Sequence, residues 1–134
     1  MSILGHGIDL VECSRIARVL ERHEHRFLDR ILTPDEQERA RRYAKPLPFI
    51  AGRWAAKEAI LKMIGTGWQG RIAWTDMEIL PDELGKPTVA LTGATAQIAL
   101  KMGIEDVRLS ISHTEHYAAA SAIGLGRISG ATDS

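Results

Sequence analysis

The stretch from Phe49 to Ile64 (Phe-Ile-Ala-Gly-Arg-Trp-Ala-Ala-Lys-Glu-Ala-Ile-Leu-Lys-Met-Ile) limits what this chain can fold into more than any other. Apolar residues lie all round its helical wheel, which marks a helix enclosed by protein. Yet it carries Arg53, Lys57, Glu58 and Lys62, and burying ionised groups without partners is costly. At about 100° per residue, Ala51, Ala55, Glu58 and Lys62 share one narrow face. Arg53 and Lys57 form a second charged ridge on another flank. Small residues beside ionisable ones let something outside the helix come close. The simplest account of Glu58 and Lys62 is an i,i+4 ion pair worth about 0.2–0.5 kcal/mol. Gly65-Thr66-Gly67 ends the helix with glycine at the expected position. A glycine-rich turn beside lysines can also cradle phosphate through backbone N–H groups.

Around this helix the pattern is mixed. Ile3 to Val11 reads as a strand, interrupted by Gly5 and Gly7 and ending near Asp9. Ser14 is placed to cap a helix from Arg15 to about Leu28, which His23-Glu24-His25 frays or breaks. Thr33-Pro34-Asp35-Glu36 is a capping box opening a helix to about Tyr43. Pro46 and Pro48 then punctuate the chain. Arg71 to Leu80 reads as a strand, Leu84-Gly85-Lys86-Pro87 as a turn and Thr88 to Leu91 as a short strand. Thr92 is placed to cap a helix to about Met102, stopped by Gly103. Val107–Ser112 and Tyr117–Leu125 alternate like an antiparallel pair. This order predicts an α+β fold with a mainly antiparallel sheet packed with helices. One domain over 1–126 and a loose tail over 127–134 are expected.

The chain has 134 residues, with Lys plus Arg 17 and Asp plus Glu 17. Zero net charge argues against a globally basic nucleic-acid binder. The single cysteine, Cys13, excludes a disulfide framework and a multi-cysteine zinc site. No apolar run approaches the roughly 18 residues of a membrane span. The first residues lack the basic and apolar regions of a secretory signal, so a cytoplasmic setting without a membrane partner is expected.

Three further features carry chemistry. Asp9 lies within an apolar strand, either as an edge or turn residue or, with Glu58, as a hard oxygen ligand of the kind Mg²⁺ takes. Ser112-His113 joins the last two strands. No Gly-x-Ser-x-Gly elbow accompanies it, so a hydrolase triad is not indicated. His113 is a turn residue or a phosphate contact. Arg15, Arg18, Arg22 and Arg26 form a ridge at helical spacing. It is either a solvated face or a dock for an acidic partner, with Phe27 as an apolar anchor.

Taken together, Gly7-Ile8-Asp9-Leu10-Val11-Glu12 and the Arg53-Trp54-Ala55-Ala56-Lys57-Glu58-Ala59-Ile60-Leu61-Lys62 core resemble holo-acyl-carrier-protein synthase. That family is the small class of 4'-phosphopantetheinyl transferases. Leu84 to Pro87, Ser110 to Thr114 and Tyr117 to Ala120 match further family motifs, in order, over about residues 3 to 125.

The resemblance implies transfer of 4'-phosphopantetheine from coenzyme A to a serine hydroxyl of apo acyl carrier protein. Adenosine 3',5'-bisphosphate leaves, and fatty-acid or polyketide synthesis uses the product. It implies Asp9 and Glu58 as ligands of Mg²⁺, and Lys62 as the cation stabilising charge and assisting the leaving group. The serine proton would pass to Glu58, Asp9 or a metal-bound water. The nucleotide would lie near Arg53, Lys57, Lys62, Gly65, Thr66, Gly67, Lys86, Pro87 and His113. The acidic carrier would dock on Arg15, Arg22, Arg26 and Phe27. The family also implies a homotrimer with active sites between subunits. The competing readings are a binding module using the Arg15/Arg18/Arg22/Arg26 ridge without chemistry, and another Mg²⁺-dependent phosphate enzyme. A nucleotide hydrolase of the latter kind would need a Walker A loop, which the chain lacks.

Overall fold

The computed structural model describes residues 1–65 and 72–128. Strand β1 (Ser2–Glu12) leads into α1 (Cys13–Ile31), α2 (Pro34–Ala40) and α3 (Leu47–Ile64). A hairpin of β2 (Met77–Pro81) and β3 (Pro87–Leu91) follows. The short α4 (Gly93–Lys101) and a long hairpin of β4 (Ile104–His113) and β5 (Tyr117–Gly126) complete the fold. The main sheet has the order β1-β5-β4, antiparallel throughout, and β2-β3 is a separate antiparallel pair. The α+β reading therefore holds, with two sheets rather than one among the described residues.

Helix α3 is the centre of the molecule. One side lies on the three-stranded sheet, and another packs against α1. Being covered on several sides explains an apolar wheel with no single polar face. Ala51, Ala55, Ala56, Ala59 and Ile60 are fully buried.

The contact with β1 is unusually close. A Cβ on Gly5 would lie 2.3 Å from the Met63 carbonyl oxygen, and one on Gly7 would lie 2.0 Å from that of Ala59. The two glycines are therefore not interruptions of the strand but the places where helix backbone rests on strand backbone. Ala118, Ala120 and Ala122 of β5, all buried, provide the adjoining floor.

Several boundaries differ from the pattern reading for identifiable reasons. Helix α1 begins at Cys13, and Ser14 is not its cap; the Cys13 N–H donates to the His116 carbonyl at 2.8 Å. The helix continues to Ile31 across a kink at His23 (φ −144°, ψ 40°), where the break was expected. Helix α3 starts earlier than Phe49, because Pro48 fits a first turn whose N–H groups lack intrahelical partners. The strand expected from Arg71 begins only at Met77, after a 3₁₀ turn over Trp74–Asp76. Residue 71 and the tail beyond 128 lie outside the described residues.

A Gly5→Ala substitution should lower stability by about 1–3 kcal/mol, the cost of overpacking, despite the better strand propensity of alanine. Urea denaturation measures it, and an unchanged midpoint would show that α3 does not rest on the β1 backbone.

Candidate active site

Two features of the fold bring chemically capable residues together. The first lies where α3 crosses β1. Lys62 Nζ donates to Asp9 Oδ1 at 3.0 Å and to the Ile8 carbonyl at 3.1 Å. Strand β1 is an edge of its sheet, and Lys62 satisfies a carbonyl on it. The Asp9 side chain is 14% exposed and that of Lys62 53%, so the pair sits at the surface of a mostly buried interface. Glu58 lies one helical turn before Lys62 on the same face and is half-buried. Asp9, Glu58 and Lys62 are thus on two adjoining elements, held there by the Gly7–Ala59 contact.

The second is a cavity of about 530 Å³ beside the start of α3. Arg53, Phe49 and Gly52 of α3, Pro87 and Gly85 of the hairpin, and His113 at the end of β4 line it. Arg39, Tyr43 and Lys45 also line it. The Arg53 guanidinium stands 4.4 Å over the Phe49 ring, a favourable cation–π contact. Among the described residues, its Nε is buried without a hydrogen-bond partner. Burial pushes the Arg53 pKa below its usual value, and Glu36 partly opposes this. An unsatisfied charged donor beside a cavity lined with two further basic side chains and two aromatic rings suits an anion carrying a planar group. The hairpin is held for this by Asp82, whose Oδ1 accepts from the Leu84 and Lys86 N–H groups, and by Gly85 in the left-handed region at φ +83°. Pro87 also borders a second depression that contains Lys86 and Arg108.

The structure does not bring every expected residue to these places. Lys57, expected among the nucleotide contacts, is fully buried on another side of α3. Its ammonium donates to Glu36 Oε1 at 2.6 Å and to the carbonyls of Ile31 and Trp74 at 2.5 and 3.2 Å. Three N–H groups meet three acceptors, which leaves none for a ligand. Burial pushes its pKa down, against the opposing pull of Glu36. Glu36 is both the capping-box residue of α2 and the buried counterion, and its Oε2 accepts from the Ile79 N–H at 3.0 Å. The sequence signals the cap but not the pairing, because 21 residues separate the partners. Arg39, Tyr43 and Lys45 in the cavity wall were not anticipated either; their only signal is a cluster of basic and aromatic residues after Glu38. Gly65 closes α3 at φ +82°. Thr66 and Gly67 lie outside the described residues.

The arginine ridge is exposed at Arg15, Arg18, Arg22 and Arg26. Phe27 is half-buried and stacks on Trp54 at 5.7 Å, and Trp54 stacks on Trp74 at 4.5 Å. With Val19, His23, Arg26 and Arg30, Phe27 lines a depression of about 240 Å³ at the kink.

Known proteins resemble this chain over most of its length. A sequence model of the 4'-phosphopantetheinyl transferase superfamily matches residues 5–122. The holo-[acyl-carrier-protein] synthase of Hydrogenovibrio crunogenus is 46% identical over 125 residues, covering 93% of this chain and 98% of that one. The crystal structure of the synthase from Neisseria meningitidis superposes with a TM-score of 0.85 at 35% identity, covering 92% of this chain and 99% of that chain. The Bacillus anthracis synthase, solved in complex with CoA (3',5'-ADP), superposes with a TM-score of 0.75 at 35% identity, covering 91% and 96%. The chain belongs to the 4'-phosphopantetheinyl transferase superfamily. It is an enzyme, a transferase of the holo-[acyl-carrier-protein] synthase type.

Half-buried Arg53 and fully buried Lys57 predict different responses. Arg53→Met removes an unpartnered donor and should leave stability within about 1 kcal/mol of the parent. Lys57→Met strands Glu36 and should cost about 3–5 kcal/mol. Urea midpoints of the two variants test this, and equal losses would contradict the assignment.

Proposed function

We propose that this protein transfers the 4'-phosphopantetheine group of coenzyme A to a serine hydroxyl of an apo acyl carrier protein and releases adenosine 3',5'-bisphosphate. The observation that carries this reading is the meeting of Asp9, Lys62 and the Glu58 face across the β1–α3 contact. Asp9 and Glu58 are two carboxylates on adjoining elements, a donor set that fits Mg²⁺. Bound there, Mg²⁺ would supply charge neutralisation for the pyrophosphate of coenzyme A.

The chain's own groups account for the remaining requirements. Lys62 places a proton-bearing Nζ beside Asp9, where it can hold a phosphate oxygen and stabilise charge as the bond to the leaving group breaks. A carboxylate oxygen of Glu58 or Asp9 takes the serine proton. Arg53 and His113 would hold phosphates of the nucleotide portion, with Pro87 and Gly85 beside it and Lys86 at the far edge of the hairpin. The aromatic walls at Phe49 and Tyr43 suit a base.

An acidic carrier would dock on Arg15, Arg22 and Arg26, with Phe27 beneath them. Attraction of this kind weakens with salt. The Arg18 ridge then serves docking within an enzyme rather than binding alone. The product would serve fatty-acid or polyketide synthesis. A cytoplasmic setting fits a coenzyme A enzyme; among the described residues no helix is long and apolar enough to cross a membrane.

Assembly as a homotrimer, with sites between subunits, is supported by the face of the main sheet turned away from α3. Ile8 and Leu10 are 64% and 66% exposed there, beside Ala119, Ser121 and Ile123 of β5. Apolar side chains in that number next to small ones suit a second sheet.

Two measurements check the reading. Intact mass spectrometry of apo carrier with coenzyme A and Mg²⁺ should show a gain of one phosphopantetheine group, absent with a chelator and absent with Asp9→Ala or Glu58→Ala. Full transfer by both variants would sink the metal assignment, and no transfer by a folded parent that binds coenzyme A would favour a binding module. Light scattering should give three times the 14.8 kDa chain mass, reduced to the chain mass by Ile8→Glu; a monomeric parent would refute the trimer.

A further inference from the structure

Lys57 precedes Glu58 in sequence and points away from the reactive face into the protein. Its three acceptors come from three different places: Ile31, the last residue of α1; Glu36, in the first turn of α2; and Trp74, in the 3₁₀ turn before β2. Glu36 in turn accepts from the N–H groups of Thr33 and Ile79, and Thr33 donates its hydroxyl to Glu78 at 2.6 Å. The charges suit their positions. The ammonium meets a carbonyl at the negative end of α1, and the carboxylate lies at the positive end of α2. A second tie runs alongside, since Phe27, one turn before Ile31, stacks on Trp54, three residues before Lys57.

We infer that Lys57 is a positioning residue for the transfer reaction, joining the half of α1 beyond the His23 kink to α3 so that the docking surface and the Glu58–Lys62 face keep one fixed relation. The inference rests on the transfer reading above. A well-packed apolar side chain would fill the same volume with less desolvation cost. What it would lack is direction. Three hydrogen bonds fix the rotation of α3 about its own axis. Side-chain tips lie about 5–6 Å from a helix axis, so a rotation of about 10° moves them about 1 Å. A misplacement of that size costs on the order of 100-fold in rate. Arg26 and Arg30 flank Phe27 in the depression on α1, so the same rotation also changes the distance from a docked carrier to Glu58.

The test compares Lys57→Met with the double variant Lys57→Met/Glu36→Leu. The single variant strands a carboxylate and is destabilised; the double variant removes that charge, at the cost of the Thr33 and Ile79 N–H groups that Glu36 accepts from, and should recover part of the lost melting temperature. Positioning predicts that kcat stays at least about tenfold low in both. Amide exchange over residues 58–62, which needs no turnover, should be at least about tenfold faster in the double variant. A parental kcat in either folded variant, a kcat that recovers together with stability, or unchanged exchange would overturn the inference. Transfer by the parent protein is scored separately by carrier mass, so a failure of the transfer reading shows there and not in the exchange measurement.

Discussion

The backbone of α3 rests on the backbone of β1 at Gly5 and Gly7, and most of the molecule's arrangement depends on that contact. A side chain at either position would meet a helix carbonyl at 2.3 or 2.0 Å, far inside van der Waals contact. With no side chains between them, the helix comes close enough for Lys62 to reach both the Ile8 carbonyl and the Asp9 carboxylate. The edge strand gains a partner for an otherwise open carbonyl. Asp9 gains a counterion, and Glu58 is carried to the same place by helical periodicity. The alanines of β5 extend the flat floor, so their small size serves packing within the subunit.

The opposite side of α3 is governed by charge. Arg53 and Lys57 sit one turn apart and look alike in a sequence, but their surroundings differ. Lys57 has a full set of acceptors and a buried carboxylate. Arg53 has an aromatic ring beneath it and a buried Nε with no partner among the described residues. A protein that leaves a buried donor unsatisfied carries a cost of about 1–3 kcal/mol, and such a cost is commonest where a ligand completes the set. The contrast assigns Lys57 to the interior and Arg53 to the cavity.

Much of this was legible in the chain. The enclosed helix, the capping box at Thr33 and Glu36, the break near His23 and the two hairpins all follow from local rules of periodicity and turn chemistry. The proximity of Asp9 to Lys62 was reached only through family resemblance, because 53 residues separate them and no spacing rule spans that distance. The Glu36–Lys57 pair was missed for the same reason, and because Glu36 already had a sufficient local role. Gly5 and Gly7 were visible but read as breaks, since a sequence shows that a side chain is absent without showing what fills its place. Arg39 reaches the cavity from the last turn of α2, and Tyr43 and Lys45 from the turn that follows, whose path is set by packing rather than by pattern.

The strand–helix contact brings together the groups proposed for the reaction, and kcat of Gly7→Ala tests its role most directly. A Cβ at that position forces β1 and α3 apart by about 1 Å or more, the difference between the 2.0 Å clash and an allowed contact. With the fold confirmed by circular dichroism, a kcat for carrier modification at least about tenfold below that of the parent is expected. A folded Gly7→Ala protein with the parental kcat would contradict it.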